Sequence, residues 1–185
     1  MNFKRINNIT GWIVCLVACA VYVMTMEATG SLWDCGEFAS SAYKLQIPHP
    51  PGAPLFVLIG RLFMAPFDPK HAATGINLMS ALASGFTILF LFWSITHFAK
   101  KLTQKAGEAL TTTQTFSIMA AGAVGAFAYC FSDSFWYSAV EGEEYMHSLL
   151  SLLALCSGPC SSGKMLLPKN KKLVSPGILL VQTGG

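Results

Sequence analysis

The run INLMSALASGFTILFLFWSITHFA, from Ile76 to Ala99, decides the fold class of this chain. It contains no Asp, Glu, Lys or Arg, and Lys100 and Lys101 end it abruptly. A helix that crosses a bilayer needs about 20 mostly apolar residues, so the run predicts a transmembrane helix. Two further apolar runs, at about 9–26 and 114–131, reach the lower limit for the same role. We therefore predict an all-α polytopic membrane protein.

Composition supports a membrane protein, and the sequence argues against nucleic-acid binding and against a metal site. Hydrophobic residues make up 53% of the chain and charged residues only 11%, with a mean hydropathy of +0.51, whereas soluble domains carry about 25% charged residues. The net charge is +3, but no basic run is interleaved with aromatic residues, so we expect no nucleic-acid binding. Cys156 and Cys160 lack the second ligand pair that a zinc site requires, so we expect no metal site.

The distribution of Lys and Arg predicts the topology, because cytoplasmic loops of membrane proteins are enriched in these residues. Placing the N-terminus in the cytoplasm makes the segments 27–75 and 132–145 outer loops, the first of them large. Eight of the nine acidic residues then lie on the outer side. The basic residues that set this orientation are Lys4, Arg5, Lys100, Lys101 and Lys105.

The first outer loop carries the stretch SLWDCGEFASSAYKLQIPHPPGAPLF, from Ser31 to Phe56. Asp34 and Glu37 are three residues apart, so on a helix they would share one face. Two neighbouring carboxylates can differ in protonation, and an ionised one can act as a general base toward a hydroxyl. The simpler interpretation is a helix start, with Asp34 as the N-cap and Glu37 in the first turn.

Four other side chains are candidates for substrate binding. The prolines after His49 stiffen a turn that can aim its ring at a phosphate, or they merely redirect the chain. Arg61 lies in the short apolar piece Leu55–Met64 and either binds a lipid phosphate or extends to the headgroups. Glu141 and Glu143, in the second outer loop, either complete an acidic site or form a solvated face.

The composition changes near Tyr145, which divides the chain into a membrane region, 1–145, and an atypical tail, 146–185. Apolar residues begin another span after Tyr145, but a cluster of Ser, Gly and Pro interrupts it. We favour a truncated or frame-shifted tail over a natural polar tail.

The motifs WDCGEF (Trp33–Phe38) and YKLQIPHPPGAPLF (Tyr43–Phe56) resemble the N-terminal signature of a bacterial family of multispanning membrane proteins. That family is similar to the protein O-mannosyltransferases of the GT-C glycosyltransferase superfamily. SFWYSAVEGEEY (Ser134–Tyr145) resembles the second outer-loop motif of the family. The resemblance covers roughly residues 1–145, and it implies the N-terminal portion of a GT-C-like helical fold in a bacterial inner membrane.

The resemblance also implies a reaction and assigns roles to residues. Enzymes of this kind transfer a sugar from a polyprenyl-phosphate-linked donor on the outer side of the membrane, with no further cofactor. Asp34 matches the acidic residue near the acceptor hydroxyl, Glu37 is its neighbour, and His49 would lie near the donor phosphate. The sugar and the acceptor are not indicated. Family members are much longer, so we expect this polypeptide to be inactive alone.

Two other functions compete with glycosyl transfer. A non-enzymatic membrane component would bind lipid, or would pack against a partner helix through small residues such as Gly122, Gly125 and Ala126. Transport has the weakest support, because the predicted spans contain no Asp, Glu, Lys or Arg.

Overall fold

The computed structural model describes residues 2–27, 35–48, 54–104 and 110–140. Helices account for most of this part of the chain, and it contains no strand. A short 3₁₀ turn, Pro69–His71, leads into the longest helix. The α-helices are α1 (Phe3–Thr25), α2 (Cys35–Lys44), α3 (Pro54–Met64), α4 (Ala72–Thr103), α5 (Thr112–Cys130) and α6 (Asp133–Val140).

Helix α4 is the centre of the fold, and α1 packs antiparallel along it. Near the start of α1, Gly11 lies under Trp93 in the second half of α4. Near the end of α1, Cys19 packs directly on Gly85 in the first half of α4. Glycine at both crossings lets the two backbones approach closely, as in other membrane helix pairs.

Helix α5 packs on α4 through its small residues and runs antiparallel to it. A Cβ atom at Gly122 would lie 2.6 Å from Thr96 Cγ2 and 3.0 Å from Phe92 Cε2, so α4 occupies the space beside this glycine. The helix begins with a capping box in which Thr111 Oγ1 accepts a hydrogen bond from the Gln114 amide and Gln114 Oε1 accepts one from the Thr111 amide. The small-residue face of α5 is therefore used within the chain.

Helix α6 follows α5 after a bend of 69° and turns back onto the other helices. Its residues Phe135, Ala139 and Val140 are buried in the same core as Tyr22 of α1. The sequence suggested an outer loop over 132–145, but residues 133–140 are helical because this apolar face has a core to cover.

The segment between α1 and α4 contains two short helices, α2 and α3, which pack on each other and on the start of α4. Phe38 and Phe56 meet edge to face, with ring centroids 5.3 Å apart, and Gly60 lies against Ile76 of α4. Helix α3 has 11 residues, so it is about 16 Å long and cannot cross a hydrocarbon core of about 30 Å.

Two helical segments in the described part are long and apolar enough to cross a membrane, Phe3–Thr25 and Pro69–Thr103. The bent pair α5 and α6 adds a third if it is counted as one span. The fold class predicted from the sequence, an all-α membrane fragment, is confirmed. The predicted limits of the spans in the bilayer stay predictions, and the tail over 146–185 lies outside the described residues.

Candidate functional site

Three chain segments are joined by hydrogen bonds at the N-terminal end of α4, an arrangement that we call the polar junction. The Asn77 side-chain amide donates to the Glu27 carbonyl at 2.8 Å, and the Glu27 amide donates to the Val140 carbonyl at 3.3 Å. The Ser80 hydroxyl donates to the Ser138 carbonyl at 3.1 Å. The polar junction thus consists of Glu27, Asn77, Ser80, Ser138 and Val140, and it connects the end of α1 to α4 and α6.

The side chains of the polar junction on α4 and α6 are buried. Asn77 is 2% exposed and Ser80 is 4% exposed. A buried polar side chain is costly unless it is hydrogen-bonded, so both residues favour an arrangement in which α1 and α6 supply backbone carbonyls. The sequence carries a signal for this: Asn77 and Ser80 are polar residues within an uncharged and mostly apolar run. Our sequence interpretation did not assign them a role.

Two segments that carry predicted site residues begin at the polar junction, and we call them the acidic segments. The segment containing Asp34 leaves α1 at Glu27, and the segment containing Glu141 begins directly after Val140. In the sequence Glu141 directly follows Val140, whose carbonyl accepts the hydrogen bond of the Glu27 amide. These two segments therefore begin at the same end of the bundle and next to each other.

Four of the six predicted site residues lie outside the described residues: Asp34, His49, Glu141 and Glu143. Their roles stay predictions. In the sequence, Asp34 immediately precedes Cys35, the first residue of α2.

Glu37 lies in the first turn of α2 and is exposed. Its backbone carbonyl accepts a hydrogen bond from the Ser40 hydroxyl at 3.0 Å. A helix that starts at Cys35 is compatible with the capping interpretation of Asp34 and Glu37, and equally with a pair of carboxylates at a site. Both interpretations therefore stay open.

Arg61 belongs to a different part of the surface. Its guanidinium carbon lies 5.0 Å from the centre of the Tyr43 ring, in the geometry of a cation–π contact. Arg61 borders a concavity of ≈ 440 Å³. The residues that line this concavity come from α2, from α3 and from the turn that follows α3, and they are Tyr43, Leu58, Arg61, Leu62, Met64, Ala65 and Phe67. No residue of the polar junction is among them.

Charge is unevenly distributed between the two ends of the bundle. The end formed by the start of α1 and the end of α4 carries Lys4, Arg5, Lys100 and Lys101, and the Lys100 ammonium lies 4.7 Å from the centre of the Phe3 ring. Glu27 and the start of α6, with Asp133, are at the opposite end. The helix directions therefore separate these basic residues from the acidic segments.

The cysteines in the helices are free thiols, and Cys15, Cys35 and Cys130 are buried. Tyr22 donates its hydroxyl hydrogen bond to the Cys130 carbonyl at 2.8 Å, which ties α1 to the end of α5. Within the described ranges, no group of three or more His, Cys, Asp or Glu side chains is placed to hold a metal ion.

Comparison with known proteins identifies relatives of this chain. Residues 34–160 match the model of the "Protein O-mannosyl-transferase TMEM260 N-terminal domain", a range that is more than half of the chain and extends past Tyr145. The chain is 32% identical over 76 residues to the protein O-mannosyl-transferase TMEM260 of Mus musculus, which covers 41% of this chain and 11% of that protein. It is 26% identical over 150 residues to the protein O-mannosyl-transferase tmem260 of Dictyostelium discoideum, which covers 77% of this chain and 16% of that protein. No solved structure matches the chain.

Proposed function

This chain belongs to the family of the protein O-mannosyl-transferase TMEM260 N-terminal domain, and from that premise we propose that it is the N-terminal part of a membrane glycosyltransferase. In the proposed reaction, a sugar passes from a polyprenyl-phosphate-linked donor to an acceptor hydroxyl. The site lies at the end of the bundle where the two acidic segments begin.

The observation that carries this proposal is the hydrogen bond between the Glu27 amide and the Val140 carbonyl, with Asn77 bonded to the Glu27 carbonyl. It joins two parts of the chain that are far apart in sequence: Glu141 directly follows Val140, and Asp34 lies seven positions after Glu27. An acceptor-binding site that uses carboxylates from both segments requires such a junction.

In the proposed mechanism Asp34 is the general base. Its carboxylate accepts the proton of the acceptor hydroxyl while the hydroxyl oxygen attacks the anomeric carbon of the sugar. The bond from that carbon to the phosphate oxygen breaks with inversion, and polyprenyl phosphate leaves with the electron pair. Glu37, Glu141 and Glu143 complete the acidic surroundings of the acceptor.

The leaving phosphate carries negative charge, so a side chain that donates a hydrogen bond to it lowers the activation barrier of the transfer. We assign this role to His49, because the proline that follows it disfavours a helical backbone at this position. Arg61 is a second phosphate-binding candidate, but its concavity shares no residue with the polar junction.

The orientation in the membrane is part of the proposal. The basic residues at one end of the bundle favour that end, with the N-terminus, on the cytoplasmic side. The acidic segments then face the outer side, where a lipid-linked donor would present its sugar. The proposed location in a bacterial inner membrane rests on the resemblance of the WDCGEF and HPPGAP motifs to the bacterial family.

The chain spans 11% and 16% of the two relatives described above. A polyprenyl donor needs a groove between helices for its chain, and the two or three spans of the described residues supply little such surface. We therefore propose that these 185 residues are inactive alone and that transfer requires the remaining helices of a full-length protein.

The experiment is a transfer assay with a full-length relative that has an aspartate at the position matching Asp34. The Asp34→Asn variant is compared with wild type, using a mannosyl polyprenyl phosphate donor and a peptide acceptor. We expect a loss of 10²-fold or more, because a positioned general base typically contributes about 10²–10⁴-fold. Asp68→Asn is the matched control, since Asp68 is an exposed carboxylate in the turn before α4. Undiminished transfer by Asp34→Asn would reject the assignment.

A further inference from the structure

Helix α3 presents an apolar face that none of the other described helices covers. Leu58 and Leu62 are 62% and 71% exposed, and Leu55 continues the same face one turn earlier. The helix is too short to cross a bilayer, yet its exposed side is as apolar as a lipid-facing one. Such a helix fits the boundary between headgroups and hydrocarbon, with its axis near the plane of the membrane.

The exposed apolar face of α3 is bordered by the side chain of Arg61. Arg61 lies beside Leu58 and Leu62 in the concavity, and the other residues that line the concavity are aliphatic or aromatic. Within the described residues no carboxylate is paired with the guanidinium. Tyr43 contacts one face of the guanidinium, which leaves the N–H groups on its edge for a ligand.

From this arrangement we propose that the concavity at Arg61 binds the phosphate of an anionic bilayer phospholipid, with an acyl chain lying along Leu58 and Leu62. The charge is complementary, because a phosphate can accept two hydrogen bonds from a guanidinium. The apolar lining suits the first methylene groups of the acyl chain. The bound lipid would anchor α2 and α3 at the membrane surface.

The proposal concerns a bilayer phospholipid and not the sugar donor of the proposed reaction. The concavity is lined by α2, α3 and the turn after Met64, whereas the polar junction consists of residues of α4 and α6 together with Glu27. The proposal therefore stands whether or not the protein transfers a sugar.

The test uses the full chain in nanodiscs that contain equal amounts of phosphatidylglycerol and phosphatidylcholine. The photoreactive residue p-benzoylphenylalanine replaces Leu62, and mass spectrometry identifies the lipid that it captures on illumination. The same residue in place of Leu16 of α1 is the positional control, because Leu16 is 65% exposed and the arginine of its helix, Arg5, is 11 residues away. We expect phosphatidylglycerol to be enriched about fivefold at position 62 over position 16, the factor that about 1 kcal/mol per basic side chain near a membrane surface provides.

The Arg61→Gln variant should reduce this enrichment to the ratio measured at position 16. Lys101→Gln removes the same charge at the opposite end of the bundle and should leave the enrichment unchanged. Arg61 is exposed, so the variant should keep its helical circular dichroism spectrum, which is recorded as a check.

Three results would overturn the proposal. The first is equal enrichment at both positions, and the second is enrichment that survives Arg61→Gln. The third is found in a second set of nanodiscs that also contain a polyprenyl monophosphate: displacement of phosphatidylglycerol from position 62 would assign the phosphate site to the donor instead.

Discussion

The crossing of α1 and α4 at Cys19 and Gly85 yields a sharp prediction about packing. A Cβ atom added at Gly85 would overlap the Cys19 sulfur, but it would lie 3.4 Å from both Cα and Cβ of Cys19. Only the sulfur atom therefore stands in the way of a methyl group. Removing the Cys19 sulfur should therefore allow Gly85 to be replaced by alanine.

The magnitudes follow from the two single variants. Gly85→Ala forces the Cys19 side chain or the helices to shift, and such overpacking costs about 1–3 kcal/mol. Cys19→Ala removes one buried or half-buried heavy atom and should cost about 1 kcal/mol. In the double variant the new methyl group occupies the space that the sulfur has left. We therefore expect the double variant to be more stable than the sum of the singles by about 1–3 kcal/mol, a coupling typical of residues in contact.

The assay is the free energy of unfolding in mixed micelles of dodecylmaltoside and dodecyl sulfate, measured by circular dichroism for all four proteins of the cycle. Gly36→Ala is the control, because a Cβ atom at Gly36 has no neighbour within 4 Å. This substitution in α2 should stabilise the helix by up to about 1 kcal/mol. Additive effects of Gly85→Ala and Cys19→Ala, within about 0.5 kcal/mol, would show that this helix crossing is described wrongly.

Three further substitutions test the contacts that hold the bundle together, with the same unfolding measurement. Asn77→Ala should cost about 1–3 kcal/mol, because it removes a buried donor and leaves the Glu27 carbonyl without that bond; a loss below about 0.5 kcal/mol would contradict a structural role for the polar junction. Tyr22→Phe removes the hydroxyl bonded to the Cys130 carbonyl and should cost about 1 kcal/mol, and an unchanged midpoint would count against that contact. Gly122→Val should destabilise the pairing of α4 and α5 by about 3 kcal/mol, since its side chain would meet an aromatic ring and a threonine methyl group; wild-type stability would mean that α5 packs elsewhere.

Much of the fold could be predicted from the sequence, because the bilayer restricts the structures that are available. A long uncharged run such as Ile76–Ala99 must satisfy its backbone hydrogen bonds internally, and a helix does so within one segment. The helices α1, α4 and α5 contain most of the three predicted runs. The start of α5 can also be predicted from the sequence, since Thr111 and Gln114 have the spacing of a capping box.

The short helices were harder to predict. Helix α6 has eight residues and α2 has ten, lengths at which an isolated helix is marginal in water. Their formation depends on burying residues such as Phe135 and Phe38 against helices that are distant in the sequence. No local pattern distinguishes such a segment from a loop that carries aromatic residues.

By itself, the sequence determined that the chain is helical, where its apolar runs lie and which residues are chemically suited to a site. Only the tertiary structure decided that the two acidic segments start side by side. The bonds responsible join residues 50 and 58 positions apart, from Asn77 to Glu27 and from Ser80 to Ser138. A polar residue in an apolar run signals that it needs a partner, but the identity of that partner depends on how the helices cross. The same holds for Arg61, whose neighbour Tyr43 lies on another helix.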